Sequence, residues 1–131
     1  MLLPNQKLHV FLVEDEPTLM EVVEQTITQL GHSVTERAER LEDALSKAAA
    51  GGFDVAVLDV NLNGQDSFPV ADALIARGIP FVFTTGFGAN HLPERFQGGY
   101  LLEKPFRLRD IGQMLDRLAQ SLSRGVTADP S

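Results

Sequence analysis

The chain has 131 residues, the size of one ordinary domain, and its 44% hydrophobic and 22% charged residues exclude a disordered or fibrous class. Acidic side chains number 18 against 11 basic, and the net charge of −7 opposes direct binding to a nucleic-acid polyanion. There is no cysteine, so disulfides, thiolate metal sites and thiol nucleophiles are excluded.

Leu8 to Val13 is a short apolar run broken by His9. It is too short to cross a bilayer and lacks the form of a signal peptide, so a cytoplasmic location is expected. Leu19, Val22, Val23, Ile27 and Leu30 then recur at helical spacing, with Pro17 suited to the first turn and Gly31 to the C-terminal cap. Ser33 to Glu36 reads as a weak strand. Leu41, Ala44, Leu45 and Ala48 mark a second helix, closed by Gly51-Gly52. Phe53 to Leu58 is a buried strand ending at Asp59, and Asn61-Leu62-Asn63-Gly64 is loop chemistry. Asp66 or Ser67 can cap a third helix carrying Val70, Leu74 and Ile75, which Gly78 ends. Phe81 to Phe83 is a fourth strand, Gly99 to Leu102 a fifth, and Leu108, Ile111, Leu115, Leu118 and Leu122 form an amphipathic last helix.

This alternation predicts an α/β fold, a doubly wound five-stranded parallel sheet of the flavodoxin-like type with strand order 2-1-3-4-5. The fourth helix is expected to be short or irregular, because Gly86, Gly88, Pro93 and Gly98 interrupt its segment. The domain is expected to span 1–123, followed by a flexible tail over 124–131.

In such a sheet, ligands bind beyond the carboxyl ends of the strands. Those ends carry Glu14 and Asp15, Asp59, Thr84 and Thr85, and Glu103-Lys104-Pro105. Singly, each is ordinary turn or cap chemistry; jointly, at four strand ends that the topology gathers, they are a site. Two like charges about 4 Å apart repel by about 4 kcal/mol at an effective dielectric near 20, so the carboxylates require a cation or protons. Oxygen donors without His or Cys select Mg²⁺, with Mn²⁺ as the alternative. A carboxylate can itself accept a phosphoryl group, whose oxygens the cation, Lys104 and Thr85 could meet.

The order of these residues resembles the receiver domain of two-component response regulators, over Lys7 to about Leu122. The receiver pattern is an acidic pair after strand one, Asp after strand three, Thr or Ser after strand four and Lys-Pro after strand five. The resemblance implies Asp59 as phosphoacceptor, Mg²⁺ held by Asp15, Asp59 and the backbone carbonyl of Asn61, and Glu14 acting through water. It implies Thr85 and Lys104 on the phosphoryl oxygens and a cis Lys104–Pro105 bond. Thr85 is chosen over Thr84 because small Gly86 follows it. The stretch PFVFTTGFG, from Pro80 to Gly88, is similar to the FATGUY group of single-domain regulators, with Thr84 and Phe87 departing from its usual Ala and Tyr. Leu101 stands where receivers carry a switch aromatic, which leaves Phe87, next to Gly86, as the candidate substitute. The segment Gly86 to Gly99 is expected to be a mobile output surface.

A phosphatase of the haloacid dehalogenase type uses similar residues, but it needs an acid where Asn61 stands and a further acidic pair after its Lys. A flavin or nucleotide module would meet repulsion from Glu14-Asp15-Glu16. The resemblance therefore implies a phosphoacceptor rather than an enzyme, working with a histidine kinase or phosphotransfer protein, either as a switch or as a phosphate sink or shuttle. Output through protein contact is expected, from a monomer without nucleic-acid or membrane binding.

Overall fold

In the computed structural model, the described residues are 7–88 and 91–123. In chain order the elements are β1 (His9–Val13), α1 (Pro17–Gln29), β2 (Ser33–Ala38), α2 (Leu41–Ala50), β3 (Val55–Asp59), β4 (Asn61–Leu62), β5 (Gln65–Asp66), α3 (Phe68–Ala76), β6 (Phe81–Thr85), β7 (Leu101–Glu103) and α4 (Leu108–Ser123). Five strands form one sheet in the order β2-β1-β3-β6-β7, and every neighbouring pair is parallel. Counted over the sheet alone this is the predicted order 2-1-3-4-5, because β4 and β5 pair with each other as a separate ribbon.

The central strands are apolar up to their polar carboxyl ends because helices cover both faces, and successive side chains enter opposite cores. Phe11, Val13, Ala56, Leu58 and Phe83 pack with Ala44 and Ala48 of α2 and Val70, Ala71 and Leu74 of α3. Val10, Leu12, Val55, Val57 and Val82 pack with Met20, Val23 and Ile27 of α1 and Ile111, Leu115 and Leu118 of α4. No helix among the described residues is long and apolar enough to cross a membrane.

Two local expectations change. Asn61 to Gly64 supplies β4 and the turn of the β4–β5 hairpin rather than loop alone: Asn63 (φ 55°) and Gly64 (φ 86°) both take positive φ, a turn whose twist matches the flanking strands. Ser67 occupies the N-cap position of α3 without a side-chain cap bond, because its hydroxyl donates instead to the Asp59 carbonyl at 2.6 Å. Asp66 is drawn into β5.

Where a fourth helix would lie between β6 and β7, the described residues include only short 3-10 structure, such as the turn Glu94–Phe96. Phe96 nevertheless anchors the segment. Its ring lies 5.2 Å from Phe83 and 5.5 Å from Phe68, while Arg95 stacks on it and pairs with Asp72 of α3 at 3.0 Å. Leu92 is buried as well, whereas Phe87 is 66% exposed beside His91. Weak helix propensity is thus offset by two apolar anchors. The expected tail over 124–131 lies outside the described residues. Phe96→Ala should cost about 3–5 kcal/mol in chemical denaturation, whereas Phe87→Ala should stay within about 0.5 kcal/mol.

Candidate functional site

Parallel pairing sets the strand ends level. Val13 lies opposite Leu58, Asp59 opposite Thr84, and Thr85 opposite Glu103. Glu14 and Asp15 follow β1, Asp59 closes β3, and Lys104 follows β7, so the register carries all four to one rim. The Lys104 Nζ lies 3.0 Å from Asp59 Oδ2 and 3.3 Å from Glu14 Oε1. One oxygen each of Glu14, Asp15 and Asp59 lies within 4.8 Å of the others. Lys104–Pro105 is cis, as expected.

Backbone groups orient the carboxylates. The N–H of Glu16 donates to Glu14 Oε2 at 3.1 Å, that of Asn61 to Asp59 Oδ1 at 3.1 Å, and that of Asn63 to Asp15 Oδ2 at 2.8 Å. Below them the Lys104 N–H donates to the Thr85 carbonyl at 2.7 Å, tying the ends of β6 and β7 together. The Thr85 hydroxyl oxygen accepts the Phe87 N–H at 3.0 Å. Gly86 leaves open space, since a Cβ there would meet nothing within 4 Å. Leu101 is half-buried against the core containing Phe83, whereas Phe87 is exposed.

Glu14 and Asp59 are each only 4% exposed, so their charges are poorly solvated. Burial, then the neighbouring Asp59 carboxylate, pushes the Glu14 carboxyl up to about 7, against the pull of Lys104. Burial also works against the Lys104 ammonium, but Asp59 and Glu14 together outweigh it and hold the amine above its ordinary range. One ammonium thus serves a group of three carboxylates and touches two of them, and the raised Glu14 reflects its burial first and the Asp59 charge second. The donor set is all oxygen, which suits a hard divalent cation.

Asn63 and Ser67 escaped sequence reasoning. The Asn63-Gly64 pair is itself a hairpin-turn signal that could have revealed the first. Ser67 carried no signal, because its partner is a main-chain carbonyl set by the fold.

The folded protein binds more protons at Glu14 than the unfolded chain between pH 4.5 and about 7, so this contribution to stability falls as pH rises through that window. The stability of the metal-free protein relative to Glu14→Gln should therefore drop across it, by at most about 3 kcal/mol, and level off above it. Urea denaturation at stepped pH measures the difference.

The response regulator receiver domain matches residues 10–116. Among curated proteins, transcriptional regulatory protein TcrA of Mycobacterium tuberculosis is 30% identical over 118 residues, covering 85% of this chain and 46% of its own length. The sensory transduction protein LytR of Staphylococcus haemolyticus is 25% identical, covering 92% and 50%. The chain thus spans about half the length of the curated relatives it matches. The solution structure of SdrG from Sphingomonas melonis Fr1 superposes with a TM-score of 0.75 at 37% identity, covering 86% of this chain and 96% of that one. The receiver domain of sensor histidine kinase PA1611 from Pseudomonas aeruginosa PAO1, which has a magnesium ion coordinated in its active site cleft, superposes at 0.71 with 26% identity, covering 88% and 99%. With the strand order, the rim residues and the match over 10–116 in agreement, the chain belongs to the response regulator receiver domain family.

Proposed function

We propose that this receiver domain accepts a phosphoryl group on Asp59 from the phosphohistidine of a sensor kinase or phosphotransfer protein, with Mg²⁺ or, in its place, Mn²⁺ bound beside it. The observation that carries the reading is the Lys104 ammonium spanning Asp59 and Glu14 on the rim that Asp15 shares. The magnesium coordinated in the related PA1611 receiver supports it further. Asp15, Asp59 and the Asn61 carbonyl would hold the cation directly, and Glu14 through a water. The cation supplies positive charge to the phosphoryl oxygens.

The chain's own residues do the rest. An Asp59 carboxylate oxygen attacks phosphorus; the O–P bond forms as the N–P bond to the donor imidazole breaks, and the electron pair leaves with the imidazole nitrogen. Lys104, already within 3.0 Å of Asp59, neutralises the transferred charge. The Thr85 hydroxyl turns to donate to a phosphoryl oxygen, giving up the Phe87 N–H it accepts at 3.0 Å. Gly86 and the exposed Phe87, next in the chain, follow that turn. With Leu101 in place of an aromatic, Phe87 is the side chain that reports the phosphorylated state to a protein partner. The similarity of Pro80 to Gly88 to the FATGUY motif supports placing the switch there.

Acetyl phosphate should label the wild-type chain only with Mg²⁺ present, and Asp59→Asn should lose the label, because an amide is a poor nucleophile. An intact-mass spectrum showing a phosphoryl group on Asp59→Asn would move the acceptor elsewhere. Mg²⁺ at 100 times its Kd should stabilise the wild type by about 2.7 kcal/mol. Asp15→Asn should melt higher than wild type without metal, by relief of repulsion, and lose the Mg²⁺ response. A wild-type melting temperature indifferent to millimolar Mg²⁺ would remove the cation from the account.

A further inference from the structure

Lys104 holds Glu14 and Asp59, but Asp15 is held by a different device. Its Oδ2 accepts the backbone N–H of Asn63 at 2.8 Å, across 48 residues of sequence. Asp15 sits at the half-exposed lip of the rim, where an untethered carboxylate samples several rotamers. The donor lies at the tip of the β4–β5 hairpin, and its direction is set by the left-handed backbone of Asn63 and Gly64.

The hairpin is itself well anchored. Leu62 is fully buried, the Gly64 N–H donates to Asn61 Oδ1 at 2.8 Å, and Asn63 Nδ2 donates to the Glu39 carbonyl at 3.4 Å. At its base the Ser67 N–H donates to the Val60 carbonyl at 2.8 Å, and the Ser67 hydroxyl to the Asp59 carbonyl at 2.6 Å. One ribbon therefore runs from Asp59, through Asn61, to the N–H that grips Asp15. A carboxylate has about four lone-pair sites, so one hydrogen bond leaves the others available to a cation.

We propose that the Asn63-Gly64 turn is a positioning element of the cation site: it presents the Asn63 N–H to Asp15 and holds that carboxylate within reach of Glu14 and Asp59. The inference rests on the cation reading above and deepens it, assigning cation affinity to a turn that contributes no ligand of its own. A carboxylate held in place before binding loses less freedom when the ion arrives. Asn tolerates φ near 55°, whereas a β-branched residue does not, so the identity of residue 63 governs the device.

The test compares Asn63→Val, Asn63→Gly and the wild type by calorimetric titration with Mg²⁺. Asn63→Val should raise the Kd about tenfold, equivalent to about 1.4 kcal/mol, while Asn63→Gly, which keeps positive φ and the N–H, should stay within about twofold. A purely structural turn would lower the metal-free melting temperature of Asn63→Val and leave its Kd unchanged; that result overturns the proposal. So does Asn63→Gly weakening binding as much as Asn63→Val. If Asn63→Val does not fold, Gly64→Ala replaces it, since its Cβ meets nothing within 4 Å and acts through the φ of 86° alone. Amide exchange without metal gives an independent check. The Asn63 N–H should be protected in the wild type and lose protection in Asp15→Ala, and equal exchange in the two refutes the contact. A wild type that takes up no Mg²⁺ defeats the preceding reading and with it the cation role of the turn, while the metal-free exchange still decides separately whether Asn63 holds Asp15.

Discussion

Two carboxylates more than nine-tenths buried at the end of a parallel sheet are a stability problem that most folds avoid. Here the ammonium of Lys104 makes the arrangement tenable. It reaches Asp59 and Glu14 together, from a strand end two positions across the sheet from β3. Its reach depends on β7 pairing with β6 in register, so the topology and the charge balance are one requirement. The compensation is incomplete, since one ammonium stands against three clustered carboxylates, and burial with the Asp59 charge pushes the Glu14 carboxyl up to about 7.

The rim is supported from below by main-chain hydrogen bonds rather than by further ions. Asp59 receives the Asn61 N–H on its side chain and the Ser67 hydroxyl on its carbonyl, and Asp15 receives the Asn63 N–H. All three donors lie within nine residues after Asp59, in the hairpin and the turn that leads into α3. The connection after β3 thus serves as a cradle, and its geometry is passed from a two-residue turn to the carboxylates.

The opposite flank of the rim is built differently. After β6 the chain forms no full helix among the described residues, and Phe96 with Leu92 supplies the packing that a fourth helix would have provided. Glycine-rich sequence costs ordering entropy, and aromatic burial against Phe83 and Phe68 offsets it. Phe87, between that anchor and Thr85, is left exposed, so the part of the segment nearest the rim has the least to lose by moving.

Much of this was legible in the linear sequence. Short continuous apolar runs and helices of period 3.6 dictate the alternation, and the alternation dictates a parallel sheet with acidic, hydroxyl and ammonium residues at its carboxyl ends. Those are local properties of backbone and side chain, so Glu14, Asp15, Asp59 and Lys104 could be named from spacing and resemblance. Tertiary structure decided what local rules cannot reach. Ser67 turned from helix cap to partner of Asp59 because a buried carbonyl lay nearer than its own helix. Asn63 acquired Asp15 as a partner only when the hairpin folded over a residue 48 positions away. Phe96 became an anchor because Phe83 and Phe68 met it from two other elements. Each depends on distance in space rather than along the chain, and that distance exists only once the sheet has closed.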